Sequence, residues 1–248
     1  MISHKISNGI NGEVNIPGDK SISHRSIIIP SISNGICEIN NILKSEDVLH
    51  TVNAFKSMGV RIDEYNNKVI VHGNGLNSLQ EPKKEIYLGN SGTSARLLTG
   101  LLSSQKFRSV ITGDQSLSKR PMKRISDPLS TMNAKIFTTD GSLPIVIEGT
   151  NLIPKDINLE IPSAQIKSGL LLASLNINGE TNITEYKVTR DHTETMLESF
   201  GANIEVKKIH NKKLIKIVGK KELTSKNIYV PNDLSSSSFF IVSCLINK

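Results

Sequence analysis

The sequence predicts an α/β protein with mixed sheets, assembled from three β-α-β-α-β-β repeats. Three observations carry this reading. Short β-prone segments open at Val14, Ile86, Ile157 and Ile228, at spacings of 72, 71 and 71 residues. Each is followed by small and hydroxyl residues and then by an aliphatic stretch. The rear half of the unit also recurs, as Ser57-Met-Gly-Val-Arg-Ile, Thr131-Met-Asn-Ala-Lys-Ile and Ser199-Phe-Gly-Ala-Asn-Ile. Self-similarity at a fixed period marks one supersecondary unit copied along the chain.

Within a unit, the first strand runs into a helix whose start is written in capping residues. These starts are Asp19-Lys-Ser-Ile-Ser-His-Arg, Gly89-Asn-Ser-Gly-Thr-Ser-Ala-Arg, Pro162-Ser-Ala-Gln-Ile-Lys-Ser and Asn232-Asp-Leu-Ser-Ser-Ser-Ser. In Thr93–Leu102, Ala95, Leu98, Leu101 and Leu102 fall on one helical side. Pro30 comes late in the first helix and bends or ends it. The recurring rear segments read as helix end, turn and strand. The closing strands are Val69-Ile-Val-His-Gly, Ile145-Val-Ile-Glu-Gly and Ile215-Lys-Ile-Val-Gly. A fourth unit begins near Lys226 and reaches only its first helix. One helix and one strand cannot bury both faces. The period therefore predicts an unfinished unit, or a last segment that packs on something absent.

The chain of 248 residues is long enough for one large domain or two ordinary ones. Aromatics make up only 4% and Trp is absent, so the core must be aliphatic. The net charge of +7 favours anionic partners: phosphates, carboxylates, nucleic acid or an acidic membrane surface. No apolar run approaches the ~18 residues of a membrane span. The longest are Gly169–Leu175 and Phe239–Ile246. Met1-Ile-Ser-His-Lys carries no apolar leader segment. Cys37 and Cys244 cannot form a disulfide framework. Both lie in aliphatic surroundings and read as buried, inert thiols. The histidines are scattered, which disfavours a metal site. The expectation is a reduced, cytosolic, soluble protein.

The chemistry gathers at the repeat starts. Free N–H groups, hydroxyls and the positive end of the helix dipole suit an anion there. Lys20, Arg25, Arg96 and Lys167 are placed to add charge, so three such ends together predict one electropositive surface. Arg120 and Arg190 open the second helices of their units, beside Lys119 and Asp191. At any single position, plain capping by Ser or Thr and a solvated cation explain the residues better than a site does. Recurrence in register is what favours a site. Gly92, beside Asn90 and Ser91, allows close approach of a ligand. The segment is not a P-loop, because no Gly-Lys-Ser/Thr follows at the required spacing. His24 and His192 read as capping or hydrogen-bonding residues rather than general bases. Asp191 and Glu194 resemble a helix-capping arrangement ahead of Met196 and Leu197.

Five ordered motifs resemble one family, the 5-enolpyruvylshikimate-3-phosphate synthases, over essentially the whole chain. They are Pro17-Gly-Asp-Lys-Ser-Ile-Ser-His-Arg, Leu88-Gly-Asn-Ser-Gly-Thr-Ser-Ala-Arg, Gly113-Asp-Gln-Ser-Leu-Ser-Lys-Arg-Pro-Met, Pro162-Ser-Ala-Gln-Ile-Lys-Ser and Thr189-Arg-Asp-His-Thr-Glu. Asn232-Asp-Leu-Ser-Ser-Ser-Ser-Phe-Phe is similar to a later Asp-x-Ser-Ser-Ala-x-Phe segment of the family. The resemblance implies two domains, each of three such units with helices inside and sheets outside. Residues 19–230 would form a complete inserted domain with units at about 19–75, 76–150 and 151–230. Residues 1–18 and 231–248 would be edges of a second domain.

The implied reaction transfers the enolpyruvyl group of phosphoenolpyruvate to the 5-hydroxyl of shikimate 3-phosphate and releases phosphate, with no metal or organic cofactor. By the same resemblance, Lys20 touches both substrates and assists proton transfer. Ser21, Arg25, Ser163, Ala164, Gln165 and Arg190 contact shikimate 3-phosphate. Gly92, Arg120 and Gln165 contact phosphoenolpyruvate. Glycine at position 92 implies a glyphosate-sensitive site.

The family's catalytic Asp and Glu lie downstream of the Asp-x-Ser-Ser segment and have no match here. Neither do a further Lys and two arginines, and Asp233 is not the catalytic Asp. The expectation is negligible turnover by this chain alone, with a C-terminal half as its missing partner. The related UDP-N-acetylglucosamine enolpyruvyl transferases share the fold but carry a reactive loop Cys that neither Cys37 nor Cys244 matches. Half of a split enzyme is another reading. So is a non-catalytic anion- or nucleic-acid-binding module, although few aromatics are available for base stacking. The expected partners are the two small-molecule substrates, with no nucleic acid and no membrane.

Overall fold

The computed structural model describes residues 12–66 and 68–246. The chain opens with α1 (Lys20–Ser31), β1 (Asn34–Asn40), α2 (Glu46–Ser57), β2 (Arg61–Glu64) and β3 (Lys68–Asn74). The second unit is β4 (Ile86–Tyr87), α3 (Gly92–Ser103), β5 (Arg108–Thr112), the short α4 (Gln115–Ser118), α5 (Lys123–Thr131), β6 (Lys135–Thr139) and β7 (Ser142–Glu148). The third is β8 (Asp156–Leu159), α6 (Ala164–Ser174), β9 (Glu180–Glu185), α7 (His192–Ser199), β10 (Asn203–Ile209) and β11 (Lys212–Val218), followed by β12 (Ile228–Tyr229) and α8 (Leu234–Ile246). The predicted mixed α/β architecture is what the chain adopts. Residues 1–11 of the expected N-terminal edge, and the last two residues of the expected return segment, lie outside the described residues.

The first helix of each unit is central. From its fourth residue on, α1 is buried on every side, and α3 and α6 are nearly so. A helix without a polar face belongs in a core. Here, serines stand among the aliphatics and return their hydroxyls to the helix's own carbonyls, as Ser31 does to Ile27 and Ser174 to Leu170. α3 and α6 cross at closest approach where two glycines meet. A Cβ added to Gly100 would lie 2.0 Å from the Gly169 carbonyl oxygen. The second helices α2, α5 and α7 keep exposed faces and cover the core from outside.

Three four-stranded sheets surround these helices, in the orders β12-β1-β3-β2, β4-β5-β7-β6 and β8-β9-β11-β10. In each, the predicted closing strand is an inner strand flanked by antiparallel neighbours. The recurring helix-turn-strand segment turns through a left-handed residue at Gly59, Asn133 and Gly201. Glycine and asparagine tolerate that conformation best, which explains why these types recur there.

Two predictions about the ends are corrected. Val14 opens no strand: residues 12–17 are irregular and Val14 is exposed. Its expected place in the first sheet is taken by β12, which pairs parallel to β1 through Ile39–Ile228 and Asn40–Tyr229. The strand of the fourth unit is therefore not orphaned. Beside it, Gly18 bridges Asn232, and the Asp19 amide donates to the Pro231 carbonyl at 2.8 Å. Only α8 remains uncovered. None of its residues is buried, and Phe239, Leu245 and Ile246 are more than half exposed. Cys244 is exposed with it, against expectation, while Cys37 is buried and its thiol is pushed up to about 12 by burial. No helix among the described residues is long and apolar enough to cross a membrane.

Candidate functional site

The starts of the three central helices face one polar cleft of about 310 Å³. It is lined by Lys20 of α1, Asn90, Ser91, Gly92 and Thr93 at the start of α3, Gln165 of α6, and Asp47 and Arg120. Each start is capped as the sequence suggests. Asp19 accepts from the Ile22 amide, Ser91 from Ser94 and Ser163 from Ile166. These caps leave early N–H groups of each helix available to an anion; at α3 the Gly92 N–H is itself donated to the Asn90 carbonyl at 3.0 Å.

Cations ring the cleft. Lys20 is half exposed and ion-paired to Asp47. Arg120 follows α4 in the turn ahead of α5 and donates to the Asn90 side-chain oxygen. Arg96 donates through Nη1 to Gln165 Oε1 at 2.8 Å and to the Gly92 carbonyl at 3.2 Å. Gln165 Nε2 in turn donates to Thr93 Oγ1 at 3.0 Å. Burial, with Arg120 and Arg124 nearby, lowers the Arg96 pKa from its usual value. A Cβ at Gly92 would lie 2.8 Å from Arg96 Nη1 and 2.9 Å from Arg120 Nη1. Glycine thus lets both guanidinium groups close over the helix start.

Of the residues singled out in the sequence, Lys20, Gly92, Arg120 and Gln165 line this cleft together. Ser163 lines an adjoining, more apolar groove with Arg124, Ile157 and Ile166. Ala164 opens α6 beside it. Ser21 adjoins the cleft through its neighbour Lys20, and its carbonyl accepts from Arg25 Nη1 at 2.7 Å. Arg25 itself is 3% exposed. Its Nε donates to Thr193 Oγ1 at 2.6 Å and its Nη2 to Ser168 Oγ at 2.7 Å. Burial lowers its pKa to about 10, which still leaves a full charge at neutral pH. Arg190 stands apart on the loop before α7, where it donates to Ser235 Oγ at 3.3 Å.

Three sequence readings are corrected here. Lys167 adds nothing to the electropositive surface: it is fully buried, 2.8 Å from Glu185 Oε2 and 2.7 Å from Glu194 Oε1. Lys213 also reaches Glu194, at 3.1 Å. Glu194 is therefore turned inward by two ammonium groups, and the capping arrangement with Asp191 does not form. Arg120 does not open α5 but precedes it by three residues, and Arg190 likewise precedes α7 by two.

His24 is buried in a hydroxyl network rather than presented to the cleft. Its Nδ1 lies 2.8 Å from Thr51 Oγ1 and 3.1 Å from Ser94 Oγ. Burial pushes its pKa down to about 3, so it is neutral at physiological pH. Sequence reading missed Asp47 and Thr93, and noted Asn90 only as a neighbour of Gly92. The Glu46-Asp47 start of α2 signalled only a favourable helix dipole.

The family model described as EPSP synthase (3-phosphoshikimate 1-carboxyvinyltransferase) matches residues 4–248. The chain is 48% identical over 242 residues to a 3-phosphoshikimate 1-carboxyvinyltransferase of Vesicomyosocius okutanii subsp. Calyptogena okutanii, a match covering 97% of this chain and 54% of that protein. It is 46% identical over 241 residues to the enzyme of the same name from Streptococcus gordonii, covering 96% and 56%. A solved EPSP synthase from Acinetobacter baumannii aligns with a TM-score of 0.86 at 50% identity, over 93% of this chain and 52% of that one. The chain spans about half the length of the curated relatives it matches.

Proposed function

Because the chain belongs to the EPSP synthase family, we propose that its cleft binds phosphoenolpyruvate beside shikimate 3-phosphate. There it serves transfer of the enolpyruvyl group to the shikimate 5-hydroxyl. The observation that carries this reading is the convergence of three helix N-termini with Lys20 and Arg120 on one polar cleft. The reaction brings two anions together, so charge neutralisation and alignment are the first demands on the protein.

In this reading Gly92, Arg120 and Gln165 receive phosphoenolpyruvate. Ser21, Arg25, Ser163, Ala164, Gln165 and Arg190 hold shikimate 3-phosphate. Lys20 touches both and assists proton transfer. The 5-hydroxyl gives up its proton and adds to C2 of the enolpyruvyl group as C3 gains a proton. The tetrahedral adduct then loses a proton from C3 as its C2–O bond to phosphate breaks, which restores the double bond and releases inorganic phosphate. Lys20 is shared with Asp47, so an arriving anion competes with that carboxylate for the ammonium.

Residues 19–230 act as the inserted unit and residues 1–18 and 231–248 as edges of a second one. The adjacent chain crossings at Gly18 and Asn232 support this division. Polypeptide equivalent to the remaining length of the relatives would cover α8 and close the cleft from the other side. The cytoplasm is the compartment this reading assigns.

Calorimetric titration with shikimate 3-phosphate and a phosphate-release assay with both substrates test the proposal. The 248-residue chain should bind shikimate 3-phosphate, lose that binding in Lys20→Met, and release negligible phosphate. Salt-dependent binding of random oligonucleotides with no response to shikimate 3-phosphate would sink the substrate reading. Phosphate release that Lys20→Met abolishes would sink the requirement for a second wall.

Gly92→Ala gives a local check. The obstructing atoms are ends of flexible side chains, so the fold should hold within about 0.5 kcal/mol. Displacing the two guanidinium groups should weaken phosphoenolpyruvate binding about tenfold. Unchanged affinity in that variant would mean the ligand does not approach the start of α3.

A further inference from the structure

We propose that Arg96 is a positioning residue: it fixes which end of the Gln165 amide faces the cleft. The amide of glutamine has two unlike ends, an acceptor oxygen and a donor nitrogen. A guanidinium has five N–H groups and no acceptor, so the oxygen is the end that turns toward it. Arg96 Nη1 meets Gln165 Oε1 at 2.8 Å. That leaves Nε2 on the other side, where one hydrogen is donated to Thr93 Oγ1 at 3.0 Å. The second Nε2 hydrogen has no partner among the described residues, and Gln165 lines the cleft. Gln165 is thereby set as a donor, the polarity that a carboxylate or phosphate oxygen requires.

Arg96 is built for this task and not for a salt bridge. Its acceptors are neutral: the Gln165 amide and the carbonyls of Gly92 and Pro121, the last at 3.4 Å. No carboxylate pairs with it among the described residues. The charged groups that act on it are the cations Arg120 and Arg124. With Arg96 removed, the amide can rotate and offer its oxygen to an anion, which turns an attractive contact into a repulsive one. The spacing makes this possible. Arg96 stands one turn into α3 from Gly92, and α6 crosses α3 closely enough for Gln165 to reach it.

The inference rests on the anion reading of the cleft, so its test has an arm that needs no ligand. The side-chain amide of Gln165 gives a pair of proton–nitrogen signals in the full chain. In the wild type they should be well separated and exchange slowly with solvent. In Arg96→Met they should converge toward free-amide values. In Arg96→Lys, which keeps a charge and a donor, they should stay close to the wild type.

The second arm is a double-mutant cycle on phosphoenolpyruvate affinity. Arg96→Met should weaken binding about tenfold in the wild-type background and by less than about twofold in a Gln165→Leu background. Gln165 signals indifferent to Arg96→Met, or strictly additive losses, would overturn the proposal. A chain that binds no phosphoenolpyruvate at all would refute the anion reading, and the amide signals would still decide the role of Arg96.

Discussion

Lys167→Met is expected to cost about 3 to 5 kcal/mol of folding stability, a large part of the total for a domain of this kind. Lys167 is fully buried between Glu185 and Glu194, which are 1% and 3% exposed. Removing its ammonium leaves Glu185 with the Thr189 hydroxyl as its remaining partner, at 2.5 Å. Glu194 keeps Lys213. The penalty therefore falls mainly on Glu185, and a buried charge without its counter-charge is costly. Urea unfolding should report a lower midpoint in the single variant. The double variant Lys167→Met with Glu185→Gln should recover part of the loss. A single-variant loss below about 1 kcal/mol would show that the carboxylates find water instead.

The second large effect is an acid limb governed by His24. Its imidazole titrates near 6.5 when unfolded and at about 3 when folded, because burial opposes the charged form. Above 6.5 both states carry a neutral ring and His24 gives no pH dependence. Between 6.5 and 3 the unfolded chain binds the proton and the folded one does not. Stability therefore falls as pH drops, with a slope of up to about 1.4 kcal/mol per pH unit. At pH 4 the accumulated loss from this group is about 3 kcal/mol. His24→Gln retains a polar partner for Thr51 and Ser94 and should flatten that limb. Equal acid sensitivity in the two proteins, followed by urea midpoints from pH 7 to 4, would assign the limb to other groups.

Much of this architecture can be read from the chain because the repeat is close enough for its parts to annotate one another. Asp19, Ser91 and Ser163 begin their helices in register, and a left-handed turn recurs at Gly59, Asn133 and Gly201. Local chemistry dictates each of these features. What escapes is set by distant partners. Lys167 looks like one more cation at a helix start, since its two carboxylates come from β9 and α7. Arg25 is likewise consumed by Thr193 and Ser168, which a one-dimensional reading leaves far away. Val14 carries the β-prone signature of the period, yet the place belongs to Ile228 and Tyr229. The cleft residues Lys20, Gly92, Arg120 and Gln165 could be named in advance. Asp47 and Arg96, which hold two of them in position, could not be given those roles without the packing of α2 and of α3 on α6.

The completion of the first sheet by β12 has a consequence for biosynthesis. The residues joined there stand 189 positions apart, as Glu38 and Asn227 do. At ribosomal rates of 5–20 residues per second, β1 waits roughly 10 to 40 s for the strand that covers its edge. An uncovered edge is a template for foreign strands. The waiting strand reads Asn34-Gly-Ile-Cys-Glu-Ile-Asn, with glycine, glutamate and two asparagines among its seven residues. Those types are depleted in strands and weaken templating. The nascent chain thus leaves this waiting edge in a sequence poorly suited to recruit a neighbour on the polysome.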